Sequence, residues 1–443
     1  MPIDYISSLV LDGPENTAGW NLIKKYGPPL AVAGAAKWYF GGTPNTFDRD
    51  VNGKVYLITG GTSGLGAQIA YELAVKGAQI VFLVRSLTDS WTVEFIDDLR
   101  QRANNFMIYA EECDLADLHS VRLFATKWLD NQPPRRLDGV VCCAAECIPY
   151  GSDRQSTANG IERQLGVNYV GHYHLLTLLA PALRVQPPDR DVRIVLATCA
   201  THSIGSVVLD DLWYQKRPYP KRSPWQVYGT SKLYLGLFAQ EFQRQLDNYE
   251  RKDKTPCNVR INMANPGIMR SASTRRFISV GTIWGLFLYL LLYPIWWFFF
   301  KSASQGAQSF MFALWAPFLR QIPGGQLIQE CKVVTEKRSE YDNENLQKKL
   351  FDLTAKHIEE LEKAAAVERN RANKNGKKKP QTDLAQKPAS EAELMDKIDQ
   401  IRASLNMGAT QSKTTKDDPL PLFPSDAELV EAVGGKGTPR KRK

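Results

Sequence analysis

The sequence predicts an α/β fold, a doubly wound parallel sheet with helices on both faces, and three observations carry that reading. Six short runs rich in β-branched residues recur between Lys54 and Pro266, each followed by a helix-sized gap. The first two, Val55-Tyr56-Leu57-Ile58 and Ile80-Val81-Phe82-Leu83-Val84, are continuously apolar, as strands buried on both faces must be. A glycine-rich turn follows the first run directly and opens the first helix.

In chain order the expected strands are Lys54–Thr59, Gln79–Arg85, Phe106–Glu111, Leu137–Ala145, Arg193–Ala200 and Asn258–Ala264. Between them, sets such as Leu65, Ile69, Leu73 and Tyr228, Leu233, Leu237, Phe238 repeat at helical spacing. Composition agrees. The 443 residues are 43% hydrophobic and 23% charged, near the soluble average of ~45–50% and ~25%, which excludes collagen, coiled-coil arrays and a wholly disordered chain. A mean hydropathy of -0.32 disfavours a polytopic membrane protein. Seven cysteines, odd in number and falling on or near strands, read as reduced thiols. Met1 to Trp20 holds no basic residue ahead of its apolar ones, so no secretory signal is expected.

The domain plan is a lead-in over 1–50, an α/β domain over 51–331 and a charged, mostly disordered tail with short helices over 332–443. The lead-in reads as irregular around Pro28-Pro29, its apolar patch Pro29–Phe40 broken by Lys37 and packed on the next domain rather than lying in lipid. Val280 to Phe300 carries no charge over 21 positions and is apolar all round. That pattern suits lipid contact better than a core helix. Arg275, Arg276 and Lys301 flank it without charge asymmetry and Pro294 offers a kink, so a monotopic hairpin or lid is expected rather than a span. In the tail, Leu394, Ile398, Ile401 and Leu405 follow a Ser390…Glu393 capping box. The net charge of +9, with Lys377-Lys378-Lys379 and Lys441-Arg442-Lys443, fits an assist to membrane binding; nucleic acid is not favoured.

Three stretches carry chemistry. In Thr59-Gly60-Gly61-Thr62-Ser63-Gly64-Leu65-Gly66 the glycines allow a tight turn and let a pyrophosphate approach the N–H groups at a helix start. The second strand ends in Arg85, where an NAD site commonly carries an acid; a guanidinium there can pair with a 2′-phosphate, so NADP(H) is preferred. Asp114 falls where the adenine edge would be met. Tyr228 and Lys232, four apart, share a helix face, and the cation is expected to bring the phenol down from ~10 toward neutral pH. Cys142, Cys143 and Cys147 lack a matching ligand pair and read as buried thiols, while His172 and His174 face different directions, so no metal is expected.

TGGTSGLG, CDLADLHSV, VNYVGHYHL, SPWQVYGTSK, Asn265-Pro266-Gly267 and KSASQGAQS together resemble the short-chain dehydrogenase/reductase superfamily with its Rossmann fold, in its retinol-dehydrogenase-like branch, and most of all fungal members of lipid droplets and the endoplasmic reticulum. The resemblance implies Tyr228 as proton donor and Lys232 on the ribose hydroxyls. It also implies Asn168 holding a relay water, and Pro266-Gly267 lining the nicotinamide pocket. Two positions depart. Cys142-Cys143-Ala144-Ala145 stands where the family has Asn-Asn-Ala-Gly. Cys199 stands where it has the serine that polarises the substrate oxygen, and a thiol is the weaker donor; either Thr198 or Thr201 supplies the group, or turnover is slow.

The expected function is an NADP(H)-dependent interconversion of carbonyl and alcohol on a lipophilic substrate, retinoid-like, long-chain aldehyde or sterol ketone, at the cytosolic face of an endoplasmic-reticulum membrane or lipid droplet. The alternative is a catalytically weak dinucleotide-fold protein with a structural or sensing role there. A homo-oligomer is left open.

Overall fold

A computed structural model describes residues 20–251, 254–335 and 337–376. The expected helix at Leu394–Leu405 and both basic clusters of the tail lie outside them. Up to Arg371 the chain forms one compact unit; of the second, Ala372–Lys443, the described part is the end of one helix.

Six parallel strands appear where the apolar runs place them: β1 (Val55–Thr59), β2 (Gln79–Val84), β3 (Ile108–Glu112), β4 (Gly139–Cys142), β5 (Val192–Ala197) and β6 (Val259–Asn265). Two unexpected short strands extend the sheet, β7 (Gln326–Gln329) parallel to β6 and β8 (Lys332–Val333) antiparallel to β7. The order is β3-β2-β1-β4-β5-β6-β7-β8. One face is covered by α2 (Gly64–Val75), α3 (Ser90–Ala103) and α10 (Ala303–Trp315), through residues such as Ile69, Leu99 and Phe310. The other is covered by α4 (Leu118–Leu129), α5 (Gly171–Val185) and α6 (Pro224–Asp247), through Phe124, Leu176 and Leu235. A helical turn at Arg163–Leu165 and a π segment at Gly166–Val170 lead into α5.

The lead-in is not irregular. Trp20–Gly41 forms a helix, α1, that runs through Pro28 and Pro29. It is also largely unpacked: Leu30, Val32 and Trp38 are 69%, 70% and 80% exposed. Its C-terminal end meets the hairpin, through Phe40 against Phe298 and Phe299, and Lys37 over the Trp297 ring.

The uncharged segment follows α7 (Ala272–Ile278) and folds as two short helices, α8 (Ile283–Leu291) and α9 (Tyr293–Phe299), broken beside Pro294. Among the described residues no helix is long and apolar enough to cross a membrane. The ends of the excursion lie side by side, since Arg270 N–H donates to Lys301 O (2.9 Å) and Lys301 N–H to Ile268 O (3.0 Å). Both flanks therefore leave from one place, the geometry of a hairpin. Ile283, Trp284 and Phe287 point into solvent at 79%, 80% and 63% exposure.

Within the stretch expected to be a mostly disordered tail with short helices, packed structure continues past residue 332. A turn at Ser339–Asp342 leads into α11 (Glu344–Gly376), which buries Leu350 and Ile358 in the core. Thr354 bonds the Tyr169 hydroxyl at 2.8 Å, and Phe351 packs on Tyr173 and Phe238. Leu346, Leu350, Ile358 and Leu361 form a narrow helical stripe that the surrounding charges conceal when composition is averaged.

Glu362 pins this helix, accepting both arms of the Arg122 guanidinium and lying 3.2 Å from His174 Nε2. Burial opposes its ionisation, but the nearby His174 ring and the Arg122 hydrogen bonds outweigh that and hold the carboxyl at about 2. A folded-state value below the unfolded ~4.3 gives a contribution complete above that pH and lost as pH falls toward the folded value. Glu362→Gln should therefore lower the thermal midpoint at pH 7, and thermal scans should show the gap from wild type closing between pH ~4.3 and about 2.

Candidate active site

A cleft of about 2000 Å³ runs along the C-terminal ends of the strands, larger than the ~300–1,000 Å³ typical of one small ligand. At one end lies the glycine turn. Gly60 and Gly64 adopt left-handed φ of 62° and 54°, and a Cβ on Gly60 would stand 2.6 Å from Ala144 Cα. The turn thus sits flush against the loop after β4, and Thr62, Ser63, Gly64, Leu65 and Gly66 line the cleft at the start of α2. Ser63 caps α2 without a side-chain bond to it. Arg85 is exposed at the end of β2 and Asp114 follows β3, both on the same wall. Asp114 Oδ1 accepts from Ala116 N–H at 3.0 Å. This cradle and cleft fit a nicotinamide dinucleotide, which when bound supplies or accepts hydride.

At the other end α6 presents Tyr228 and Lys232. Lys232 is 2% exposed, its Nζ donating to Ala197 O (2.9 Å) and standing 5.6 Å from the centre of the Tyr228 ring. Burial lowers its pKa, with the thiols of Cys199, Cys143 and Cys142 opposing. The expected lowering of the Tyr228 phenol is reversed here. Burial first, then the neighbouring thiols of Cys199 and Cys147, hold it well above its ordinary value. Helical spacing gave the proximity of the two groups; it carried no account of desolvation.

Cys199 lies in extended backbone ahead of a tight turn at Ala200–Ile204, its Sγ 2.8 Å from Thr201 Oγ1. Of the two threonines that could replace the serine, Thr201 therefore joins the thiol. Thr198 Oγ1 is buried without a hydrogen-bond partner. Pro266 and Gly267 form the wall after β6, with Gly267 at φ 76° and its N–H on Asn265 Oδ1 at 3.0 Å.

Asn168 sits inside the π segment and is fully buried. Its Nδ2 donates to Glu146 O (3.0 Å) and Ser231 Oγ (3.1 Å), and its Oδ1 accepts from Glu146 N–H (2.7 Å). Both amide hydrogens are donated, so a relay water could be held only on an acceptor oxygen, and the side chain braces the loop after β4 against α6. Cys143 and Cys147, expected to be buried, line the cleft instead; burial still pushes their thiols to about 12 and about 11.

Two groups were missed. His172 links the glycine-turn strand to Asn168. Burial lowers it to about 4, so the neutral ring donates Nδ1–H to Asn168 O (3.1 Å) and accepts at Nε2 from Thr59 Oγ1 (2.9 Å), which in turn accepts from Ala144 N–H (3.2 Å). Lys301 is 7% exposed at the cleft wall and ion-paired with Glu330. Its signal was its place at the head of KSASQGAQS.

These features define a dinucleotide-dependent oxidoreductase of the Rossmann type, and the chain belongs to the short chain dehydrogenase family. The model of that family matches residues 54–206. An uncharacterized oxidoreductase of Saccharomyces cerevisiae is 42% identical over 403 residues, spanning 86% of this chain and 98% of the relative. One from Schizosaccharomyces pombe is 42% identical over 364 residues, 82% and 97% of the two chains. Mouse polyprenol dehydrogenase is 34% identical over 281 residues, 63% of this chain and 77% of the relative. A crystal structure of an uncharacterized protein from Mycobacterium Paratuberculosis shares the fold, with a TM-score of 0.50 and 24% identity over 70% of this chain and 96% of that one.

Thr59→Val removes the hydroxyl between Ala144 and His172 and leaves a buried ring nitrogen and a half-buried amide without their partner. Urea unfolding should show a loss of about 1–3 kcal/mol.

Proposed function

We propose that the chain is an NADP(H)-dependent oxidoreductase that interconverts a carbonyl and an alcohol on a lipophilic substrate. The observation that carries this reading is the convergence of Tyr228, Lys232 and the Cys199–Thr201 pair at one end of a cleft whose other end is the glycine turn. Tyr228, kept protonated by burial, is suited to give its proton to the oxygen of a carbonyl being reduced. Cys199 and Thr201 supply donors to that oxygen, and Lys232 supplies positive charge beneath it. Asn168 keeps the adjoining loop in place. Arg85, with no acidic partner among the described residues, favours a 2′-phosphate and hence NADP(H) over NAD(H).

The substrate class follows from the rim. Phe40, Phe277 and Phe299 line the mouth, continuous with the exposed apolar faces of α1 and α8. A lipophilic aldehyde or ketone, retinoid-like, long-chain or sterol, would enter from a membrane or lipid-droplet surface on which those faces rest, at the cytosolic side of the endoplasmic reticulum. The naming of a polyprenol dehydrogenase among the relatives agrees with such a class. One observation favours the competing structural or sensing role: the thiol at 199, a weaker donor than the family's hydroxyl.

Purified protein should oxidise NADPH with apolar aldehydes or ketones, and Tyr228→Phe should reduce turnover by about 100-fold or more. Equal rates in the two proteins would favour the scaffold. Cys199→Ser should raise kcat, by up to about 100-fold. Trp284→Asp with Phe287→Asp should reduce flotation with anionic vesicles while leaving NADPH binding intact.

A further inference from the structure

The turn that carries the substrate-side donors is held from outside the dinucleotide fold. Two groups of His202 close it on Cys199 O, the backbone N–H at 3.1 Å and Nδ1 at 2.7 Å. It rests directly on the stretch of α6 that bears Tyr228. A Cβ on Gly205 would stand 2.6 Å from Gly229 O, and Ser206 N–H donates to Thr230 Oγ1 at 3.1 Å. The carbonyls of the turn converge elsewhere. His202 O, Ser203 O and Gly205 O lie 2.9, 3.0 and 2.9 Å from one nitrogen, Arg338 Nη1, and share its two hydrogens. The remaining nitrogens of that guanidinium are gripped by Glu340, and the Tyr341 ring stands edge-on to His202 at 6.0 Å.

We propose that Arg338 is a positioning residue: by gathering the carbonyls of the 202–205 stretch it fixes Cys199 and Thr201 against Tyr228. The donor geometry of the site is then set by a residue beyond the last strand of the sheet. Arginine suits the task because its planar, delocalised fork serves carbonyls and a carboxylate at once, which a lysine ammonium cannot do in the same place. Arg338 is itself one-quarter exposed and Ser203 is exposed, so its removal lets water reach the freed carbonyls and should leave the fold standing. The kinetic half of this proposal rests on the oxidoreductase reading; the structural half rests on the contacts alone.

The test compares full-length wild type, Arg338→Gln and Arg338→Lys by steady-state NADPH oxidation with an apolar aldehyde and by peptide-resolved hydrogen exchange. Arg338→Gln should exchange faster over 198–206 but not over α6. Its kcat should fall by about 100-fold, as for a displaced catalytic group, with KM for NADPH held within about twofold. Arg338→Lys should recover part of kcat. Unchanged exchange over 198–206, or faster exchange with unchanged kcat, would overturn the proposal. If wild type itself shows no turnover while exchange rises as expected, the clamp stands and the oxidoreductase reading is what fails.

Discussion

Strand order reverses at β1, and the position of the chemistry depends on that reversal. β2 and β4 flank β1, so the crossovers that reach them depart in opposite directions and leave a crevice at the C-terminal edge between them. Loops leaving that part of the sheet face the same cleft. The glycine turn after β1, the Cys143–Cys147 stretch after β4, the Cys199 turn after β5 and Pro266-Gly267 after β6 are all such loops. Topology brings them together, and residue identity then decides what the meeting place can do.

The energetics of the site turn on desolvation, most of all at Lys232. Lys232 is an ammonium with almost no contact with water, satisfied by the Ala197 carbonyl, and Tyr228 is a phenol whose ionisation the same desolvation opposes. A neutral phenol above a buried cation is arranged to release a proton only when negative charge develops next to it. The thiol at 199 weakens one donor, and its 2.8 Å contact with Thr201 brings a hydroxyl to the same spot.

The six parallel strands were legible because burial on both faces forces continuous apolar runs, and the glycine turn because its residues stand between a strand and a helix. Three parts were not. Leu350 and Ile358 anchor α11, but they are single apolar residues among lysines and glutamates, and an averaged composition reads such a stretch as solvated. α1 runs through two prolines that argue against a helix. The pKa of Tyr228 turns on how deeply the phenol is set, which four-residue spacing does not report. Asn168 was expected to hold a relay water, and only the atoms show that its amide hydrogens are donated to Glu146 and Ser231.

Lys301 belongs both to the base of the apolar hairpin and to the cleft wall. Its backbone closes the base of the excursion on Ile268 and Arg270, and its side chain pairs with Glu330, whose second carboxylate oxygen takes the N–H of Thr43 at the end of the lead-in. Glu330 and Cys331 connect β7 to β8 with left-handed φ of 51° and 54°, a conformation that costs a non-glycine residue about 1–3 kcal/mol. A glycine pair would form that two-residue turn without strain, but it could not supply the carboxylate. The strained turn thus places an acid, Glu330, that joins lead-in, hairpin and edge strands. Lys301 Cε would meet a Cβ on Gly267 at 3.3 Å, so the wall of the cleft lies against that same lysine.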